Sequence, residues 1–431
     1  MNRTHSDILR IARGFLEEEP KSSIGKQINS LRESLFAEST NDYVAKVLPW
    51  SKPLEAVNQY ITVPEKDINT CTEYYKNVSN KLSKNLNWPE KLIKIYPQGS
   101  SATRTLIRSV GNKNFDVDAV CEVDATRLDI HQFDPSDPIK FFNDVGKGLD
   151  NKERKNRCWH VPSDGKSFYL EFTPSIPLVT VNMKENVQIS IPYNTADKYK
   201  ETELAVVDNK LKEWKTSNPK GFSEWVNDAA KLNINWSTQV SQIVAMSEAQ
   251  VDPVPSQTVE LYDTLRVAIR LFKRHRDMCI YRRKIREEYK PISIVIVTLL
   301  TSAYRALFAE QRRFMTPFDL LLELATMLPY MAKASIQNER YYVDNPTVIG
   351  ENFTEKWNYD NGDRAKAFFS WCDLMQADIN SIISQIQSDK IHRKVMEIFG
   401  CPWSTKHDNN LRERIDSYQL VRRPPPTKGL A

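Results

Sequence analysis

Three short segments carry residue types that could do chemistry on a phosphorylated substrate. The first is Gln98-Gly99-Ser100-Ser101-Ala102-Thr103-Arg104-Thr105, just after a strand candidate at Leu92 to Tyr96. A Gly-Ser turn after a strand can aim backbone N–H groups at an anion, and the Ser hydroxyl adds a donor. The second is Phe115-Asp116-Val117-Asp118-Ala119. Carboxylates two residues apart on a strand leave the same face, and the apolar neighbours put that face outward. Like charges so close repel each other. A divalent cation removes the repulsion, and paired hard oxygens suit Mg2+, which shares its coordination sphere with substrate phosphates. The third is Phe168-Tyr169-Leu170-Glu171-Phe172-Thr173-Pro174, a single acid opposite three apolar residues. A neighbouring strand, parallel or antiparallel, would bring Glu171 beside the Asp pair. Taken singly, each segment also fits a blander reading: an ordinary turn, a solvated Asp-x-Asp face, an exposed Glu on an amphipathic strand.

The elements that must position these residues follow from periodicity. The first ninety residues have helical character, and Ile68, Cys71, Tyr75, Val78 and Leu82 recur at helical spacing. Between about 92 and 192 the period becomes two: Phe115, Val117, Ala119, Cys121 and Val123 alternate with their neighbours. Val179 to Met183 and Val187 to Ile191 flank Lys184-Glu185-Asn186 as a hairpin candidate. After about 220 the chain is helical, with one long helix predicted from Thr258 to Glu288 and closed by Pro291. Further helices are predicted at 293–310, 317–334, 362–387 and 389–399. The expected class is α+β: an N-terminal mixed sheet with helices, a C-terminal helical bundle, and the active site in the cleft between. The expected divisions are an N-terminal helical extension (1–65), a catalytic core (66–220), a helical C-terminal lobe (221–415) and a Pro-rich tail (416–431).

Composition bounds the partners. The 431 residues are 40% hydrophobic, enough for a sizeable core. Net charge is +5, too mild to demand a nucleic-acid or membrane partner. The strongest apolar run, Ile292 to Leu300, is too short to span a bilayer. The first thirty residues carry charges throughout, so no signal peptide is expected and the expected location is the cytoplasm. The 6 cysteines are scattered without a CxxC pair and fit free thiols. Cys158 and His160 lie close together, but further ligands for a structural zinc are not in sight.

The order and spacing of the three segments is the layout of the polymerase-beta-type nucleotidyltransferases. The chain resembles in particular the bacterial CD-NTases, relatives of cyclic GMP-AMP synthase and oligoadenylate synthase. The resemblance extends past the acids. It includes Tyr96-Pro97-Gln98-Gly99-Ser100 with Thr105, then Ser217-Asn218-Pro219-Lys220-Gly221-Phe222 with Trp225. It continues through Leu271-Phe272-Lys273-Arg274-His275-Arg276-Asp277, Lys290-Pro291-Ile292-Ser293, and Asn345-Pro346 with Glu351-Asn352-Phe353 and Trp357. Together these cover roughly residues 70 to 400. One position departs: most relatives carry Asp where this chain has Glu171, one methylene longer.

The resemblance implies two Mg2+ ions, with Mn2+ as a substitute, held by Asp116, Asp118 and Glu171, which are also the catalytic residues. It implies nucleotide contacts from Gln98, Gly99, Ser100, Arg104, Thr105, Lys273 and Ser293. It implies that ATP and a second nucleoside triphosphate are joined into a cyclic di- or trinucleotide messenger of anti-phage (CBASS) defence, with a linear oligoadenylate or RNA-terminal transferase as the alternative product class. Accessory defence proteins, including a conjugation enzyme acting on the tail that ends Gly429-Leu430-Ala431, are the partners it suggests. Direct DNA sensing through a zinc module is not expected, since the Cys/His cluster it needs is missing from the sequence. Arg266, Arg270 and Lys273 share one helix face, for which phosphate contact and plain solvation both remain open.

Overall fold

Alternating apolar residues along Phe115–Val123 (β2) and Phe168–Pro177 (β5) build the centre of a seven-stranded mixed sheet. A computed structural model describes residues 4–37, 52–86, 88–111, 114–128, 133–163, 165–181, 197–236, 254–383 and 388–402. β1 (Ile93–Pro97) runs antiparallel to β2, and β2 runs parallel to β5. On its far side β5 meets β4 (Trp159–Pro162), which meets β3 (Glu153–Arg154). The last residues of β5 pair with β6 (Leu204–Asp208), and β6 pairs with β7 (Glu213–Ser217). The hairpin expected at 179–191 lies almost wholly outside the described residues, as does the Pro-rich tail.

One face of the sheet is covered. Phe115, Val117, Cys121, Phe168, Leu170 and Phe172 pack in one apolar cluster with Ile68, Cys71, Tyr75 and Leu82 of α4 (Glu65–Asn85). Phe141, Phe142 and Val145 of α6 (Pro138–Lys147) join the same cluster. The helical spacing seen in the sequence over 68–82 is the buried stripe of α4. Because side chains alternate along a strand, covering this face leaves Asp116, Asp118 and Glu171 on the other.

A second apolar cluster is helical. It contains Ile8, Leu9, Ala12 and Leu16 of α1 (His5–Glu18), Ile28 of α2 (Ile24–Ala37), and Leu54 and Val57 from the helix over 52–60 (α3). These pack with α7 (Pro219–Ala230), α8 (Thr264–Tyr281), α9 (Ser293–Ala309), α10 (Pro317–Ala334), α11 (Asp363–Ile383) and α12 (Ser388–Phe399). The N-terminal helices therefore share a core with the C-terminal ones and are not an appendage to the sheet. Between Ile61 and Val63 the chain passes from one cluster to the other.

Local chemistry fixes the ends of these helices. In α1, Thr4 accepts from the Asp7 N–H while the Asp7 carboxylate accepts from the Thr4 N–H, a reciprocal cap. Asn218 caps α7 through the Gly221 N–H, with Pro219 at the first position. α8 is shorter than the predicted 258–288: it begins at Thr264 and stops at Tyr281. The stop follows from Arg283, whose φ of 57° lies in the left-handed region. Before the helix, 254–260 has no regular structure and is held by Gln257, which donates to the Ser101 carbonyl and accepts from the Leu106 N–H. The other C-terminal helices fall close to their predicted ranges. No helix among the described residues is long and apolar enough to cross a membrane.

A buried ion triad ties α2 to α10. Arg32 Nε donates to Asp319 Oδ1 at 2.6 Å and a second guanidinium nitrogen pairs with Glu323. Burial pushes the Asp319 carboxyl above its usual range and the Arg32 charge opposes that. Arg32→Met leaves Asp319 without its cation and Glu323 with Arg13 alone. The expected loss is about 3–5 kcal/mol of unfolding free energy, read as a lower denaturant midpoint at unchanged m-value.

Candidate active site

The register of the central strands assembles the acids. Asp118 of β2 lies directly opposite Glu171 of β5, and Asp116 lies opposite Tyr169. Parallel pairing keeps opposed side chains on the same face, so the three carboxylates and the Tyr169 ring share one surface. Asp116 is exposed and Asp118 half-buried. Burial, and then the charges of Asp116 and Glu171, push the Asp118 carboxyl well above its usual range, with Lys273 opposing the shift. Tyr169 is pushed up by burial and then by the same acids.

The Gly-Ser turn closes onto this surface. Gly99–Ala102 is a single helical turn (α5) that begins directly after β1. The Gln98 N–H donates to the Asp118 carbonyl at 2.9 Å, and Gln98 Nε2 donates to Thr173 Oγ1 at 3.1 Å, bridging β1 to β5 over β2. Gly99 has φ of +59°, and a Cβ there would stand 2.9 Å from Asp118 Oδ2. Only glycine fits on both counts. The first N–H groups of a helical turn have no acceptor within it, so those of Gly99 and Ser100 are free to meet an anion.

The remaining expected contacts divide. Lys273 is buried, donates to the Thr105 carbonyl at 3.0 Å, and is pushed down to about 8 by burial and then by Arg276, with Asp116 and Asp118 opposing. Its ammonium therefore senses the acid pair. Ser293 opens α9 and its hydroxyl accepts from Arg276 at 2.8 Å. Arg104 departs from expectation: its guanidinium donates to the carbonyls of Ser256 (3.1 Å) and Thr258 (2.5 Å), a structural use. Thr105 also departs, since its side chain is fully buried and shares a hydrogen bond with Thr103 Oγ1. Arg266 and Arg270 are not solvated. Arg266 donates to the Thr103 carbonyl and pairs with Asp263, and Arg270 donates to carbonyls of Gln257 and Asn58.

His160 of β4 and Cys158, the residue just before that strand, reach the site without having been assigned to it from the sequence. The Cys158 thiol donates to Glu171 Oε2 at 3.4 Å. His160, opposite Glu171 in the β4–β5 register, places Nδ1 3.8 Å from Oε1 and its ring 4.5 Å from that of Tyr169. The alternation Trp159-His160-Val161 was the available signal, because it places Cys158 and His160 on the acids' face once β4 is paired with β5.

The segments Ser217–Phe222 and Asn345–Phe353 meet one another. Ser217 Oγ donates to Glu351, Asn218 Nδ2 donates to the Thr347 carbonyl, and Asn345 Nδ2 donates to Glu351 at 2.7 Å. A cavity of about 520 Å3 lies beside this junction, with Arg157, Lys215, Arg340, Tyr342 and Glu351 on its walls. The carboxylates do not line it. Their site is located by register and charge.

The donor set fits Mg2+. The ligands are hard oxygens, and Asp118 carries like-charge repulsion that a cation would relieve. Among the described residues no three His, Cys, Asp or Glu side chains form a ready cage for an ion.

A mixed sheet presenting two acids on one strand and a third on its parallel neighbour, beside a Gly-Ser turn, is the arrangement that the resemblance to polymerase-beta-type nucleotidyltransferases implies. No protein-family model matches the chain. Over 301 residues it is 24% identical to a c-di-GMP synthase of Roseivirga ehrenbergii, covering 66% of this chain and 68% of that one. Its fold is similar to that of the CD-NTase CdnG of Bradyrhizobium diazoefficiens, solved in complex with GTP (TM-score 0.53, 17% identity, 81% of this chain, 97% of that one). It is also similar to CdnC of E. coli MS115-1, solved with ATP (TM-score 0.50, 11% identity, 81% and 97%). These likenesses show that the chain has the fold of those CD-NTase structures.

Two predictions follow from the packing of this site. Gly99→Ala forces the turn off Asp118 and is expected to lower kcat/KM about 100-fold, measured by pyrophosphate release, without changing the sheet's circular dichroism. The raised carboxyl of Asp118 has a stability consequence of defined sign. The folded state binds its proton more tightly than the unfolded state, so wild-type stability falls as pH rises from the ordinary carboxylate range through the raised value. Asp118→Asn removes that loss and is expected to add about 0.5–2 kcal/mol at pH 7.5 while abolishing product. Thermal melts from pH 4 to 9 check both the sign and the window.

Proposed function

We propose that this chain joins nucleoside triphosphates into a cyclic oligonucleotide, releasing pyrophosphate at each bond. The observation that carries the reading is the pairing of Asp118 with Glu171 beneath the Gly99 turn. The curated relative's name points to a cyclic dinucleotide as the product and to guanine nucleotides alongside the ATP expected from sequence.

In this proposal Asp116, Asp118 and Glu171 hold two Mg2+ ions. When bound, these supply positive charge at the attacking hydroxyl and at the departing pyrophosphate. The chain's own groups do the rest. The Gly99 and Ser100 N–H groups and the Ser100 hydroxyl bind the β- and γ-phosphates and fix the α-phosphorus over the carboxylate face. Lys273, buried beside the acids, adds a charge that a triphosphate would draw on. The acceptor ribose hydroxyl oxygen attacks the α-phosphorus, the bond to the β-phosphate oxygen breaks, and pyrophosphate leaves. Glu171 is placed to take the hydroxyl proton. A second transfer in the same site, with the linear dinucleotide now the acceptor, closes the ring.

Purified protein incubated with the four nucleoside triphosphates and Mg2+ or Mn2+, then with phosphatase, tests this by mass spectrometry. The expected outcome is a phosphatase-resistant product that is missing with EDTA and with Asp116→Asn/Asp118→Asn. Products that phosphatase degrades would establish linear polymerisation instead. Resistant product from the double variant would remove the carboxylates from the mechanism.

A further inference from the structure

The third acid is a Glu, one methylene longer than the two Asp residues beside it, and its side chain ends at the β4 side of the sheet face. Its two oxygens face two different groups. Oε2 accepts from the Cys158 thiol at 3.4 Å, and Oε1 stands 3.8 Å from His160 Nδ1. His160 Nδ1 is buried without a hydrogen bond, and its ring is fixed by packing on Tyr169. His160 lies on β4, whose antiparallel register with β5 sets it directly across from Glu171, and Cys158 immediately precedes that strand.

We propose that Cys158 and His160 are positioning residues for Glu171: together they hold the extended carboxylate in the orientation in which it serves as metal ligand and proton acceptor. The proposal rests on the nucleotidyltransferase reading above. An unheld Glu has one more rotatable bond than an Asp and samples more rotamers. A carboxylate that must sit beside Asp118 despite like charge needs a donor to hold it there. The thiol supplies that donor to Oε2 and leaves the other lone pairs of the carboxylate free. Cys158 makes the hydrogen bond and His160 packs 3.8 Å away on the other oxygen, the kind of support that groups around a ligand commonly give in metal sites.

The test compares Cys158→Ala and Cys158→Ser in the full-length chain, each in the native background and in Glu171→Asp. Two quantities are read: Mn2+ affinity, from the paramagnetic resonance signal of the free aquo ion, and kcat and KM for nucleoside triphosphate. Cys158→Ala is expected to weaken Mn2+ binding and lower kcat by about 10-fold, with KM unchanged. Cys158→Ser retains an O–H donor and is expected to recover most of both. In Glu171→Asp the carboxylate no longer reaches β4, so Cys158→Ala is expected to add no further loss. Equal effects of Ala and Ser, or the same loss in both backgrounds, would overturn the proposal, as would a wild type that binds no Mn2+. A wild type that binds Mn2+ but makes no nucleotide product would count against the function proposed above, and the Mn2+ comparison would still decide the role of Cys158.

Discussion

The structure depends on a row of buried cations along α8 that bind backbone carbonyls. Arg266 reaches the Thr103 carbonyl, Lys273 that of Thr105, and Arg274 those of Arg108, Phe399 and Gly400. The segment leaving the Gly99 turn is thus held residue by residue against a helix whose opposite side lies in the helical core. Carbonyls have no strand partner there, and charged donors make stronger bonds to them than neutral ones. Arg270 and Arg276 do the same for the 257 and 291 segments. One helix therefore fixes the distance between the sheet that carries the acids and the bundle that carries Ser293.

Against this rigid frame stands a site that is electrostatically unfavourable by itself. Asp116, Asp118 and Glu171 share one sheet face, and nothing in the fold's own packing requires three acids there. Folding energy from the apolar face and from the α8 contacts holds them together. In the proposed function, a divalent cation and the phosphates it brings would relieve that repulsion. Glu171 has neighbours on its other side, His160 of β4 and Cys158 just before it.

Much of this was legible in the sequence because it rests on strict periods. Alternation along 115–123 and 168–172 specified both strands and the face of each acid. The stripe at 68–82 specified α4. The choice between parallel and antiparallel β2–β5 pairing was not legible, since both would place Glu171 near Asp118. The role of Arg266 and Arg270 was likewise hidden: charge at helical spacing looks the same whether solvent or carbonyls receive it. α8 was overextended because 258–262 lacks any breaker that a periodic reading would notice, and Gln257 acts through side-chain bonds to distant backbone. Cys158 and His160 were noticed for the wrong chemistry, as an incomplete zinc pair, because their partner Glu171 lies on another strand.

The parallel pairing of β2 with β5 carries a consequence for how the chain comes into being. Two parallel neighbours cannot be joined by a tight turn, and here α6, β3 and β4 are threaded through the connection before β5 is made. A nascent chain that has emerged only through β2 displays Asp116 and Asp118 with an unpaired edge where β5 will lie. Every later strand of the sheet enters through β5, so the catalytic face and the sheet's cohesion are completed by the same event. During synthesis the three acids come together on one surface only when the sheet closes around its central pair.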